Sequence, residues 1–261
     1  MQTIRPPAVA GMFYPADAQE LHRELQQLLG AATSGTQPPK ALIVPHAGYV
    51  YSGPVAASAY AQLIPLRDRI RRVVLLGPAH RVAFRGLAAS SASGFRTPLG
   101  DVPLDTAALA PLLVLPQIRV LDEAHAQEHS LEVQLPFLQE TLGDFRLLPL
   151  VVGDATYAEV AEVLEMVWGG DETLILISSD LSHYHDYATA QRLDRATSDA
   201  IATLHPERID FDHACGRTPV GGLLLAARRH GLHADVLDLR NSGDTAGPRD
   251  RVVGYGAYAL H

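Results

Sequence analysis

Several imidazole and carboxylate side chains of this chain lie just past a short apolar run. They are His46 after ALIV (41–44), His80 after VVLLG (73–77), Asp180 and His183 after TLILIS (173–178), and Asp244 after ADVLDL (234–239). Two imidazoles and one carboxylate form the donor set of facial-triad iron sites, and they also suit a catalytic zinc ion that keeps one position open. A further histidine beside such a metal can act as a general base near neutral pH.

Each of these side chains also has a plainer interpretation. A single histidine in a loop is more often a surface or hydrogen-bonded residue than a metal ligand, and NSGD (241–244) is composed of turn-forming residues. The repetition of the pattern at several run ends favours a shared site. The HExxH helix of metalloproteases is absent from the sequence, as are the glycine-rich nucleotide loops GxGxxG after the first run and GxxxxGK[ST].

The runs that carry these residues predict the strands of one sheet. Short runs rich in Val, Ile and Leu, without polar alternation, are typical of strands covered on both faces. They occupy 41–44, 73–77, 147–152, 173–178, 234–239 and 252–260. Helical patterns precede or separate them at 18–30, 54–63, 130–142, 156–168, 189–204 and 220–230. This alternation predicts a layered α/β domain with a largely parallel central sheet, to which residues 86–105 add a strand or hairpin. Ligands of such sheets bind beyond the carboxyl ends of the strands, where the histidines lie.

Composition limits the class of protein. The 261 residues are 47% hydrophobic and 19% charged, with a net charge of −8 and no basic run, which disfavours nucleic-acid binding. Cys215 is the single cysteine, so an internal disulfide is excluded and a reducing compartment is favoured. No apolar stretch reaches the roughly 18–20 residues of a membrane span, and residues 1–17 lack the apolar core of a signal peptide. We therefore expect a cytoplasmic protein that binds neither nucleic acid nor membranes.

Two further groups leave their role open. His129 and Glu132 lie three residues apart at the start of a predicted helix, where they either brace the helix or contact a substrate. Cys215 precedes another predicted helix, whose N-terminus can lower the pKa of a thiol. A lone cysteine is more often buried and inert, and no histidine is predictable as its base.

Six motifs, taken in order, are specific enough to indicate a family. They are PHAGYVYSGPVAASAY, LLGPAHRV, EHSLEVQLPFL, ISSDLSHY, CGRTPVG and NSGD followed by VVGYGAYAL. In these motifs the chain resembles the Memo family (mediator of cell motility) nearly from end to end. That family is similar in fold to class III extradiol ring-cleaving dioxygenases. The resemblance implies a single Memo-like domain over residues 1–261 with an extradiol-dioxygenase-like α/β fold.

The resemblance also implies roles for the residues past the apolar runs. The nonheme iron of those dioxygenases is held by two histidines and a carboxylate. By resemblance, His46 and His80 take the positions of the two metal-ligand histidines. His183 takes the position of a catalytic histidine that does not bind the metal, and Asp180 lies within the same matched motif.

The third ligand position falls near Asp244 and Thr245. Animal relatives place a cysteine in this neighbourhood, and this chain has none there because Cys215 belongs to the separate CGR motif. We expect Asp244 to be the third ligand, since it is the nearest carboxylate to the matched position. If NSGD is only a turn, then water, Asp180 or His185 would complete the shell.

The expected function is that of a metal-dependent redox or dioxygenase-like enzyme acting on a small molecule. The cofactor is a divalent metal, with iron expected before copper or zinc. His183 and Asp180 are the expected catalytic residues, and the substrate contacts are Tyr49, Tyr51, His129 and Glu132.

Two other functions remain open at this point. One is a non-enzymatic protein that reuses the same cleft for a peptide or small ligand, and the other is metal-assisted hydrolysis. Prokaryotic members of the resembled family are often encoded beside radical-SAM proteins, which implies a functional link to such a protein without naming a substrate.

Overall fold

The computed structural model describes residues 3–35 and 37–261. Its strands are β1 (Ile4–Arg5), β2 (Ala41–Val44), β3 (Arg72–Pro78), β4 (Leu87–Ala89), β5 (Gly94–Thr97), β6 (Gly100–Pro103), β7 (Ile118–Val120), β8 (Arg146–Val152), β9 (Thr173–Ser178), β10 (His183–His185), β11 (Ala234–Asn241) and β12 (Val252–Leu260). Its α-helices are α1 (Ala18–Ala31), α2 (Tyr49–Tyr60), α3 (Thr106–Leu109), α4 (Asp122–Ala126), α5 (Leu135–Thr141), α6 (Tyr157–Met166), α7 (Tyr187–Ala202), α8 (Arg217–Arg229) and α9 (Ser242–Thr245). Short 3₁₀ helices cover Ala61–Leu66, Ala110–Val114, Glu132–Gln134, Pro206–Arg208 and Phe211–His213.

Nine of the strands form the central sheet. Its order is β10-β12-β2-β9-β3-β8-β4-β7, and β11 pairs with the remaining length of β12. The four central strands β2, β9, β3 and β8 are parallel, whereas β12 and β4 run antiparallel to their neighbours in this group. The remaining three strands, β1, β5 and β6, form a separate small sheet in which β5 and β6 make a hairpin. The predicted α/β architecture with a parallel centre is confirmed. Residues 86–105, predicted to add a strand or hairpin, contain both: β4 joins the central sheet, and β5 and β6 form the hairpin of the small sheet.

The apolar runs are buried because helices cover both faces of the sheet. Successive residues of each central strand alternate between two hydrophobic clusters, with Leu42 and Val44 in one and Ala41 and Ile43 in the other. Helices α1, α2 and α5 pack into the first cluster, and α6, α7 and α8 pack into the second. Strands buried on both faces need no polar alternation, which explains the continuous apolar runs. No helix in the described part of the chain is long and apolar enough to cross a membrane.

Two elements differ from the sequence prediction. Helix α2 begins at Tyr49 instead of Pro54, so Pro54 lies inside the helix although proline is favoured at a helix start. Strand β11 is an edge strand whose residues are mostly exposed or half-buried, because it pairs with β12 alone. Both differences affect where the predicted site residues lie.

Candidate metal centre

Three side chains converge at the carboxyl end of the central sheet. The ligand atoms of His46, His80 and Cys215 lie within 4.8 Å of one another. His46 follows β2 and His80 follows β3, and the two imidazole rings are 5.2 Å apart in an edge-on arrangement. Cys215 comes from the loop before α8 and places its sulfur 3.3 Å from Nε2 of His46. Zinc-type bonds of about 2.0–2.3 Å in tetrahedral geometry separate nitrogen and sulfur donors by about 3.5 Å, so this spacing fits a shared ion.

A buried network fixes the tautomer of His46. Nδ1 of His46 lies 2.8 Å from Oγ of Ser178, and this hydroxyl donates its single proton to the carbonyl of Ser130 at 2.6 Å. The same oxygen accepts a hydrogen bond from Nε2 of Gln134. Ser178 can therefore only accept from His46, so Nδ1 carries the proton. Nε2 is then the unprotonated nitrogen, and it faces His80 and the sulfur of Cys215.

His80 is held in the same way by a carboxylate. Glu128 is buried and lies 2.9 Å from Nδ1 of His80 while also accepting the backbone N–H of His80. The backbone N–H groups of His129 and Ser130 donate to the same carboxylate. Burial alone would raise the pKa of Glu128, but the hydrogen bonds from His80 and Ser130 and the charge of His80 outweigh it and hold the pKa at about 2. An ionised acceptor at Nδ1 leaves Nε2 of His80 for a metal and makes it a stronger donor.

The thiol reaches this point through a close backbone approach. The N–H of Gly216 donates to Oγ of Ser179 at 3.0 Å, and a Cβ at position 216 would lie 2.6 Å from Cβ of Ser179. Glycine thus allows the loop of Cys215 to pack against the end of β9. The N–H of Asp180 donates to the sulfur at 3.3 Å, an arrangement that stabilises a thiolate. Burial, with the charge of Asp180, raises the pKa of Cys215, so the thiol carries its proton until a cation replaces it.

Asp180 ties the loop after β2 to the end of β9. Its Oδ1 accepts the N–H of His46 at 2.7 Å, and the carboxyl is buried. Burial raises its pKa to about 6, against the opposing effects of the His46 hydrogen bond and the charge of His183. Burial also lowers the pKa of His46 well below that of free histidine, with the charges of His80, His129 and His183 adding to the effect. His46 is therefore neutral, as a metal-binding imidazole must be.

A third imidazole lines the same cleft. The ring of His129 stacks on His80 with centroids 4.7 Å apart and meets His46 edge-on at 5.4 Å. Burial lowers its pKa to about 4, so it is neutral at neutral pH. His80, Glu128 and His129 form a second group of possible ligands. Glu128 already accepts four hydrogen bonds, so the group with Cys215 has the freer donors.

Comparison with known proteins identifies the family. A family model described as Memo-like protein matches residues 5–259. A MEMO1 family protein of Aquifex aeolicus is 38% identical over 265 residues, covering 97% of each chain. A MEMO1 family protein of Ignicoccus hospitalis is 37% identical over 280 residues, again covering 97% of each chain. The chain belongs to the Memo family. The resemblance drawn from its six motifs is confirmed.

A solved structure shares the fold of this Memo family member. The crystal structure of an uncharacterized protein, JW3007, from Escherichia coli K12 aligns with a TM-score of 0.56 at 13% sequence identity. The alignment covers 85% of this chain and all of that chain. At this level of identity the likeness shows the fold alone.

The structure does not bring Asp244 to the histidines. Asp244 is in neither group of possible ligands found among the described residues. Its carboxylate closes a capping box with Asn241 at the start of α9 and accepts the hydroxyl of Tyr187. Asp244 follows the edge strand β11, which lies four strands from β3 at about 4.8 Å per strand, and its carboxylate is engaged at the start of α9. The third donor beside the histidines is Cys215, which the sequence reasoning had set apart.

The predicted substrate contacts divide into two groups. Glu132 is fully buried and accepts hydrogen bonds from Arg5, Ala8, Val9 and Tyr14, so it anchors the N-terminal segment and is not open to a substrate. Tyr49 is also buried, with its hydroxyl bonded to the carbonyl of Val133. Tyr51, by contrast, is 40% exposed in the first turn of α2, and His129 lies in the cleft itself.

The residues that orient His46 and His80 carry little signal in the sequence. Glu128 stands directly before His129 in the motif EHSLEVQ, and Ser178 is the last residue of β9. A glutamate beside a candidate histidine could have been considered as its partner. Ser178 gave no comparable signal, because a serine at a strand end is common in turns.

Proposed function

We propose that this Memo family protein binds a redox-active metal ion through His46, His80 and Cys215 and acts as a metal-dependent redox enzyme on a small molecule. The observation that carries the proposal is the convergence of two imidazoles and one thiol within 4.8 Å. Three protein donors leave a coordination position open for substrate, as in catalytic sites, whereas structural sites use four.

The thiol changes the metal that suits the site. The preference for iron depended on Asp244 as a carboxylate ligand. Imidazole and thiolate together suit copper and zinc, and of these two only copper changes its oxidation state readily. We therefore propose copper before iron, with zinc as the ion that would indicate hydrolytic chemistry.

The neighbouring residues support this chemistry in distinct ways. A bound metal would supply electron transfer and an open coordination position. His183 lies shortly beyond the end of β9, and its charge affects the pKa of both His46 and Asp180. We therefore assign it the transfer of a proton to and from substrate. We assign Asp180 a positioning role, since its carboxylate holds the backbone of His46. Tyr51 would contact substrate at the entrance.

Metal analysis of protein purified without chelator tests the proposal. The parent should carry about one metal ion per chain, whereas Cys215→Ser and His46→Ala should lose most of it. His22→Ala is the matched control, because His22 is an exposed histidine on α1. His183→Ala should keep the metal, since His183 is not among the converging donors.

The metal found decides between the functions. Copper or iron in stoichiometric amounts would support redox chemistry, whereas stoichiometric zinc would indicate a hydrolytic function instead. A parent that binds none of these ions, even when they are added back, would favour a ligand- or peptide-binding protein. Equal metal loss from His183→Ala and His46→Ala would make His183 a ligand and overturn its assignment.

A further inference from the structure

An exposed aromatic side chain is held in an unusual conformation beside His183. Tyr184 has φ +63°, a left-handed conformation that residues other than glycine adopt rarely. It lies in the short strand β10, between His183 and His185, where the pairing with β12 is irregular. Its side chain is nevertheless 65% exposed, so burial of the ring does not account for the conformation. Strained residues of this kind are concentrated at functional sites.

Two arginines lie over tyrosines of the segment from β10 to the start of α7 (residues 183–187), which we call the rim. The guanidinium of Arg251 is 5.2 Å from the ring centroid of Tyr184, and that of Arg249 is 4.5 Å from the ring of Tyr187. Neither guanidinium forms a salt bridge with any carboxylate in residues 3–35 and 37–261, although the chain has a net charge of −8. Both arginines therefore keep donors that a ligand can use.

The acidic residues nearby do not neutralise this rim. Asp244 accepts the Tyr187 hydroxyl and the Asn241 N–H, and Asp186 caps α7 through the N–H of Thr189. Asp250 lies between the two arginines in sequence, is exposed, and forms no salt bridge with residues 3–35 and 37–261. The rings of Tyr184 and His183 are 5.7 Å apart, so the ring that Arg251 covers borders the histidine to which we assign proton transfer.

We propose that Arg251, assisted by Arg249, binds an oxyanion group of the small-molecule substrate, a carboxylate or a phosphate, on the aromatic surface formed by Tyr184 and Tyr187. The proposal rests on the proposed function in taking the neighbouring cleft as the reaction site. It narrows the substrate class to anionic molecules, with the anion held at the rim and the reacting atoms directed toward His183. Arginine suits this role because its planar donors match two oxygens of a carboxylate or phosphate.

Binding of small probes to the metal-free protein tests the subsite separately from the metal. The probes are benzoate, phenyl phosphate and the uncharged benzamide. Their binding is measured from the NMR signals of the arginine side chains. Both anions should bind saturably to the parent and benzamide should not. Arg251→Gln should weaken anion binding by about tenfold or more, as loss of a charge-assisted hydrogen bond does. Added salt should weaken it as well.

The controls separate this subsite from the proposed metal centre. Arg23→Gln, at an exposed position of α1, should bind the anions like the parent. Cys215→Ser should also bind them like the parent even where its metal is lost. The tighter of the two anions identifies the substrate group as carboxylate or phosphate. Equal binding of benzamide and benzoate, unchanged binding by Arg251→Gln, or no saturable binding to the parent would each refute the proposal.

Discussion

Replacing Ser178 with alanine tests how the site controls its first histidine. The hydroxyl of Ser178 bonds to Nδ1 of His46, to Nε2 of Gln134 and to the carbonyl of Ser130. Without it, Gln134 still donates to Pro45, but the Nδ1–H of His46 and the Ser130 carbonyl lose this partner. A buried group left without its partner costs about 1–3 kcal/mol, so with two such groups the stability of Ser178→Ala should fall by roughly 2–6 kcal/mol.

The same change should weaken metal binding. Loss of an outer-shell partner typically lowers metal affinity about 10–100-fold, because the imidazole is free to rotate and to move its proton to the other nitrogen. Affinity can be measured by competition with a chelator, using cobalt as a probe whose thiolate bond absorbs in the near ultraviolet. The tautomer of His46 in the metal-free protein can be read from ¹⁵N chemical shifts, and the parent should show Nδ1–H.

Ser182 provides the matched control for this experiment. It is fully buried two residues beyond Asp180, and its hydroxyl forms no hydrogen bond among the described residues. Ser182→Ala should therefore retain the metal affinity and the His46 tautomer of the parent. Two results would show that the assigned His46 tautomer is wrong. One is metal binding by Ser178→Ala as tight as in the parent, and the other is a proton on Nε2 of His46 in the parent.

Three further predictions concern residues around the centre. Asp244→Ala should leave metal affinity unchanged in the cobalt titration and lower stability by about 1 kcal/mol through loss of its cap; a marked loss of affinity would restore it as a ligand. Burial lowers the pKa of His125 to about 4. Between pH 6.5 and 4, His125 is therefore protonated in the unfolded chain but neutral in the folded protein. Stability should thus fall by about 3 kcal/mol as the pH drops from 6.5 to 4, and urea unfolding of His125→Gln across this range should show a shallower fall. Tyr184→Gly should keep the unfolding free energy within about 1 kcal/mol of the parent, since glycine tolerates positive φ; a large loss would show that the exposed ring supports the fold.

The sheet could be predicted because its strands carry a local signal. Each of the six apolar runs is a strand, and four of them form the parallel centre with helices on both faces. The convergence of His46 and His80 follows from that centre, since both residues come directly after parallel strands. Sequence order alone does not give the order of strands across the sheet, and for that reason Asp244 was placed too close to the histidines. The two aspartates within ADVLDL, Asp235 and Asp238, were a sign of an exposed edge strand.

Cys215 could not be placed from local pattern at all. It arrives through tertiary packing, with α8 covering one face of the sheet and Gly216 allowing close approach to Ser179. A helix start facing a strand end is a long-range relation that periodicity does not encode. The start of α2 was misplaced for a different reason: Pro54 is a common signal of a helix start, and here it lies more than a turn inside the helix.

The charges of the three donors and their partners bear on which ion fits best. Two neutral imidazoles and one thiolate carry a net charge of −1, and a monovalent cation would make the group neutral. His46 is buried, with the uncharged hydroxyl of Ser178 at its Nδ1 and the buried carboxyl of Asp180 at its backbone N–H, so Asp180 is the acidic group on that side. On the other side, the ionised Glu128 faces His80, the more exposed of the two histidines, and can balance one further positive charge there. Uncompensated charge is expensive to bury. For the copper that we propose, Glu128 and Asp180 would therefore offset the charge that is added when the singly charged ion becomes doubly charged.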